Sequence, residues 1–160
     1  MVNVCFVCLG NICRSPTAEG IMNTLIQDAK LQDRITTDSA GTSAFHEGEP
    51  PDPRSQKAAA ERGYILNSRA RAFRKSDIQS FDYIVAMDTA NRDYILQMCS
   101  SESQKEKLHL LRDFDANSPS GSSVPDPYYG GTQGFSNVID ICKRSCEGLL
   151  ENIRTQKLHG

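Results

Sequence analysis

Val2 to Val7 forms an apolar stretch of strand length, and the pattern changes sharply after it. Pro16 fits a first helical turn, where its missing N–H costs nothing, and Ala18, Ile21, Met22, Leu25 and Ile26 then recur at three- and four-residue intervals. That is one apolar helical face. Arg34 to Asp38 reads as a second short strand leading into Ser39-Ala40-Gly41-Thr42, and Glu49-Pro50-Pro51-Asp52-Pro53 as a rigid polar loop. Gln56 to Arg62 favours helix, closed by Gly63. Phe81 to Met87 is the clearest later strand, and Asp88 suits the cap of a helix continuing through Tyr94, Ile95 and Met98. Leu108 to Leu111 reads as a fourth strand. A Ser-, Pro- and Gly-rich stretch from Asp113 to Gly134 precedes a last helix with Phe135, Val138, Ile139, Cys142, Leu149, Leu150 and Ile153 on its apolar side. Strand and helix alternate throughout. Right-handed crossovers then predict an α/β fold, a central four-stranded parallel sheet with helices on both faces, built as a single domain over residues 1–160.

The charge balance narrows the function classes. Eighteen Lys and Arg against 20 Asp and Glu give a net charge of −2, so there is no basic field for nucleic acid or anionic lipid. Anion recognition must be local. No apolar run approaches the roughly 20 residues that cross a bilayer, and the N-terminus has no secretory pattern. The expectation is a cytoplasmic protein without membrane or nucleic-acid partners. The six cysteines lack paired C-x-x-C zinc spacing, and Cys5, Cys142 and Cys146 fall on apolar faces, which predicts mostly reduced thiols.

The candidate chemistry lies where the first strand ends. Cys8-Leu9-Gly10-Asn11-Ile12-Cys13-Arg14-Ser15 separates a cysteine from an arginine by five residues, directly before a helix start. Loop N–H groups at the positive end of a helix dipole make an anion site, and the same field favours the thiolate of a cysteine beneath it. Arg14 adds a planar fork for two oxygens of a tetrahedral anion. Gly10 and Asn11 are the residue types that most easily take positive φ in such a curl. Cys8 is thus a candidate nucleophile attacking a phosphate monoester.

Such an attack needs an acid to protonate the leaving oxygen. Asp126, bracketed by Pro125 and Pro127 and followed by Tyr128 and Tyr129, is the best candidate. An aspartate beside proline is also an ordinary turn residue. Asp113 and Asp115 lack the proline bracket.

Taken in order, Val7-Cys8-Leu9-Gly10-Asn11-Ile12-Cys13-Arg14-Ser15-Pro16, Asp38 to Thr42, Tyr83 to Asp88 and Asp126-Pro127-Tyr128-Tyr129-Gly130 resemble a low-molecular-weight protein tyrosine phosphatase. The resemblance implies a flavodoxin-like fold of the phosphotyrosine phosphatase I type and a two-step reaction with no metal and no cofactor. Cys8 would carry the phosphoryl group as a cysteinyl-phosphate, with Asp126 as general acid and then base. Arg14 and the loop formed by Leu9, Gly10, Asn11, Ile12, Cys13 and Ser15 would hold the phosphate oxygens. It also implies acid phosphatase activity on aryl esters, and phosphotyrosine-containing proteins as partners of a monomer or weakly self-associating chain. Asn11, Ser15 and Ser39 match a network that supports the loop, with Ser15 able to donate to the Cys8 sulfur. Ile12, Phe45, Tyr128 and Tyr129 match the substrate rim. Cys13 matches a partner for a protective Cys8–Cys13 disulfide, although a buried loop cysteine without that role has the same sequence.

One position departs from the pattern. Shortly before Arg71, where such phosphatases often carry histidine, this chain has Ser68, so the resemblance leaves open how Asn11 is held. His46, His109 and His159 are scattered, and none is assigned to catalysis. Two related enzymes share the loop. A thioredoxin-coupled arsenate reductase needs neighbouring downstream cysteines where Cys99 stands alone, and a protein arginine phosphatase tends to threonine where this chain has Ile12. A phosphoprotein-binding module would lose the thiol or the acid, and both are present.

Overall fold

A computed structural model describes residues 1–128 and 131–158. Its elements are β1 (Val2–Cys8), α1 (Arg14–Asp28), β2 (Ile35–Gly41), α2 (Pro53–Ala60), α3 (Asp77–Ser80), β3 (Tyr83–Ala86), α4 (Thr89–Leu96), α5 (Glu102–Lys105), β4 (Leu108–Leu110) and α6 (Thr132–Gln156), with a 3-10 turn at Leu111–Phe114. The four strands form one sheet in the order β2-β1-β3-β4, every pair parallel.

β1 is central and buried on both faces, which is why its apolar run is continuous rather than alternating. The period of two shows in what each side chain meets. Val2, Val4, Phe6 and Cys8 join Ile21 and Met22 of α1 and Cys142, Leu149 and Ile153 of α6 in one core. Cys5 and Val7 point the other way, into a smaller core with Phe73, Ile78, Ile84 and Ile95. Among the described residues no helix is long and apolar enough to cross a membrane.

Several boundaries differ from the sequence pattern for local reasons. α2 begins at Pro53, three residues before the predicted start, because Asp52 caps it and accepts from Arg54 N–H while Pro53 takes the first turn. Asp88 caps α4 as predicted, accepting from Asn91 N–H at 2.7 Å, but the helix stops at Leu96. β2 runs on to Gly41 because β1 continues beside it to Cys8. Two one-turn helices, α3 and α5, carry too few residues for a periodic signal.

The sheet order locates the site. The chain leaves β1 for β2 on one side and returns for β3 on the other, so the loops after β1 and β3 diverge at the carboxyl edge. Crevices of open α/β sheets form at such a reversal.

Candidate active site

Cys8 ends β1 and lies at this reversal. The loop after it is held from behind by backbone bonds: Thr42 N–H to Cys8 C=O and Ser43 N–H to Leu9 C=O, both 2.9 Å, and Asp52 N–H to Ile12 C=O at 2.8 Å. A side chain at Gly41 would put its Cβ 2.8 Å from the Leu9 carbonyl oxygen, so only glycine lets β2 approach so closely.

Asn11 is the hinge of the curl, with φ of 58°. Its backbone N–H donates to Cys8 Sγ at 3.2 Å, and its side-chain Nδ2 donates to Ser15 Oγ at 2.8 Å. Its Oδ1 accepts from Arg71 N–H at 3.0 Å. Because Ser15 Oγ already accepts from Asn11, its own proton is available to Cys8 Sγ, 3.0 Å away. Asn11 is therefore fixed at three points without Ser68, whose buried hydroxyl has no partner among the described residues. Arg71 in turn is tied to Asp38 and Asp77, each at 3.0 Å.

Two expectations about this loop are corrected. Gly10 does not have positive φ; its lack of a side chain admits the His46 ring, whose Cδ2 would lie 3.1 Å from a Cβ there. Ser39 does not reach the loop: it donates to Glu19 Oε1 at 2.6 Å, one step behind it.

Arg14 opens α1, whose first turn has no side-chain cap, and is 3% exposed. Its Nη1 donates to Asp88 Oδ2 at 2.6 Å and to the Val124 carbonyl at 3.0 Å. The Asp88 pair spans the β1–β3 reversal, giving the α4 cap a second role that no local sequence pattern announced. Arg14 Nη2 stands 3.6 Å from Asp126 Oδ2. Asp126 is 39% exposed, and its Oδ1 accepts from Tyr128 N–H at 3.0 Å. This local turn, beside the flanking prolines, aims the carboxyl. Asp113 and Asp115 serve the root of the same loop: Asp113 accepts from Gly121 N–H, and buried Asp115 binds Asn117 N–H, Ser118 and Arg144.

Cys8, Leu9, Gly10, Ile12, Cys13, Arg14, Asp126 and Tyr128 line one pocket, together with His46. Phe45 is not among its walls: the ring is 84% exposed and stands edge-on to His46 with centroids 4.8 Å apart. His46 takes that place at the rim, with Nδ1 3.0 Å from Glu49. Its position beside Gly10 depends on the fold of the 42–49 segment, which periodicity does not reveal. His109 packs between Tyr83 and Phe114. Tyr129 and His159 lie outside the described residues. Burial, opposed by a hydrogen bond to Ser55, pushes the Cys13 thiol up to about 12, so it is protonated at neutral pH.

Known proteins match over nearly the whole chain. The profile of the low molecular weight phosphotyrosine protein phosphatases matches residues 3–158. A low molecular weight protein-tyrosine-phosphatase of Streptomyces coelicolor is 41% identical over 154 residues, 96% of this chain and 94% of that protein. Among solved structures, a protein tyrosine phosphatase from Entamoeba histolytica with Hepes in its active site aligns with TM-score 0.93 at 43% identity, covering 98% of this chain and 99% of that one. A Drosophila arginine phosphatase aligns with TM-score 0.87 at 32% identity, covering 96% and 99%. Profile, sequence and architecture agree, and the chain belongs to the low-molecular-weight phosphotyrosine protein phosphatase family of phosphoric monoester hydrolases.

Proposed function

We propose that the protein hydrolyses phosphotyrosine in proteins, and aryl phosphate monoesters generally, through a phosphorylated Cys8. One observation carries the reading: Cys8 Sγ, accepting from Asn11 N–H and beside the Ser15 hydroxyl, shares a pocket with Arg14 and Asp126. The Cys8 thiolate attacks phosphorus, the bond to the aryl oxygen breaks, and Asp126 gives that oxygen its proton. Water then attacks the S–P bond, Asp126 takes a proton from it, phosphate departs and the thiolate returns. Arg14, fixed by Asp88 and the Val124 carbonyl, and the loop amides stabilise charge on the nonbridging oxygens without having to reorganise. Ile12 and Tyr128 supply apolar wall for a ring.

The likeness to an arginine phosphatase gives the second reading a place in the test. Steady-state kcat/KM on phosphotyrosine, phosphoserine and phosphoarginine, with thioredoxin-coupled arsenate reduction on the same preparation, separates them. Phosphotyrosine is expected to lead phosphoserine by about a hundredfold. A larger value for phosphoarginine, or coupled arsenate reduction, overturns the reading.

Cys13 adds a redox role. After peroxide converts Cys8 to the sulfenic acid, the Cys13 thiol displaces water to give a disulfide, which added thiol reduces. Cys13→Ser should then recover less activity than the parent after peroxide followed by thiol; equal recovery refutes the protective role.

A further inference from the structure

The pocket wall at Tyr128 is braced from outside by a residue that does not line the pocket. Arg54, on the first turn of α2, places its guanidinium carbon 5.2 Å from the centre of the Tyr128 ring and 4.8 Å from that of Phe135 on α6. Cation and ring faces attract at this range. The guanidinium is itself held: Nε donates to Asp52 Oδ1 at 3.1 Å and Nη2 to Oδ2 at 2.9 Å, a two-pronged pair. Asp52 is buried, caps α2, and its backbone N–H carries the Ile12 carbonyl of the anion loop. A continuous line therefore runs from the loop that holds phosphate, through Asp52 and Arg54, to the ring that walls the pocket.

We propose that Arg54 is a positioning residue for substrate selection: clamped by Asp52, it fixes the Tyr128 ring at the spacing from the phosphate loop that suits an aryl ester. The inference rests on the phosphatase reading above. Phosphate itself is held by Cys8, Arg14 and the loop amides, so the clamp acts on the aryl group alone. Its effect belongs in KM for aryl esters, not in the affinity for inorganic phosphate. Lysine cannot replace it, because an ammonium offers no fork to Asp52 and no flat face to two rings.

The experiment measures kcat and KM on phenyl phosphate and the inhibition constant of inorganic phosphate for the parent, Arg54→Ala, Arg54→Lys, Tyr128→Ala and the Arg54→Ala/Tyr128→Ala double variant. Arg54→Ala should raise KM about fivefold, with kcat and phosphate inhibition unchanged, and Arg54→Lys should recover little of the loss. In the Tyr128→Ala background the Arg54→Ala change should add almost nothing, the non-additivity of two residues acting as one. Asp52→Asn keeps an effective cap but drops the charge, and should raise KM in the same direction. Because Arg54 also joins α2 to α6, a merely structural role would lower kcat or weaken phosphate inhibition. Either outcome, or a full Arg54→Ala effect persisting without Tyr128, overturns the proposal. A parent that fails to hydrolyse phenyl phosphate refutes the phosphatase reading and the clamp together; a normal parent with an unchanged Arg54→Ala KM refutes only the clamp.

Discussion

The two halves of the site are built on opposite terms. From Cys8 to Ser15 every residue but Leu9 and Gly10 is buried, and Asn11 and Ser15 each find partners within the loop or behind it. The segment carrying Asp126 is fastened at its root, where Val124 N–H meets the Met87 carbonyl at 2.7 Å, Arg112 binds the Ser123 carbonyl at 2.8 Å and Asp115 binds Arg144 at 3.1 Å. Asp126 itself is over a third exposed. Charge stabilisation works best from donors already in place, because any reorganisation would add to the barrier. A proton donor that next activates water needs access instead. The contrast teaches that the loop around Cys8 is rigidly held while the Asp126 carboxyl keeps solvent contact, the division that the proposed two-step reaction requires.

The strongest way to break this division is to remove one function from each half. Cys8→Ser should abolish turnover, a fall of about four orders of magnitude or more, while phosphate still binds. Asp126→Ala should cost about 10²- to 10⁴-fold on phenyl phosphate and far less on p-nitrophenyl phosphate, whose leaving group needs little protonation. Steady-state rates on both esters decide it, and equal losses would remove Asp126 from the acid role.

A gentler probe is Asp88, which joins the two halves through Arg14. Asp88→Asn retains an effective cap for α4 but replaces the charged partner of a buried guanidinium. Phosphate inhibition should weaken about tenfold, and melting temperature should fall, because the buried guanidinium loses its charged partner. Asp88→Ala should add the loss of the cap, about 1 kcal/mol, read as a lower melting temperature. Phosphate binding unchanged in Asp88→Asn would show that the Val124 carbonyl alone orients Arg14.

These residues also mark how far the sequence was legible. The β1 run, the Cys8–Arg14 spacing, the apolar faces of α1 and α6 and the proline bracket of Asp126 are local patterns, and each predicted an element or position that the fold contains. The Arg14–Asp88 pair joins residues 74 apart, and Arg54 of α2 meets Tyr128 of the loop before α6, so neither leaves a periodic trace. Ser39 failed for a different reason. Its family match fixed its place on β2, but its hydroxyl direction depends on Glu19 of α1, which is available to accept it. His46 and Phe45 exchanged places at the rim because one faces Gly10 and its neighbour faces solvent, a choice set by the turn in which Ser43 Oγ accepts from Phe45 N–H.

The smallest expected effect separates the two regions by pH. Burial lifts the Glu19 carboxyl above its usual range, although the Ser39 hydroxyl pulls it down. Its folded state therefore holds the proton longer than the unfolded chain, and its contribution to stability is present at low pH and declines as pH rises through that window. Asp115 runs the other way. Burial raises it, but Asn117 N–H, Ser118 and Arg144 outweigh that and hold it below the usual range, so its contribution is present above about pH 4 and is lost as pH falls further. Glu19→Gln keeps an acceptor for Ser39 and removes the titration. Relative to the parent, its melting temperature should rise as pH goes from about 4 to 7, whereas Asp115→Asn should lose most at neutral pH and least in acid. Thermal unfolding of the three proteins from about pH 2 to 7 checks both signs. Parallel curves would mean that neither carboxyl contributes to the pH dependence, and that the two halves differ in exposure but not in electrostatic support.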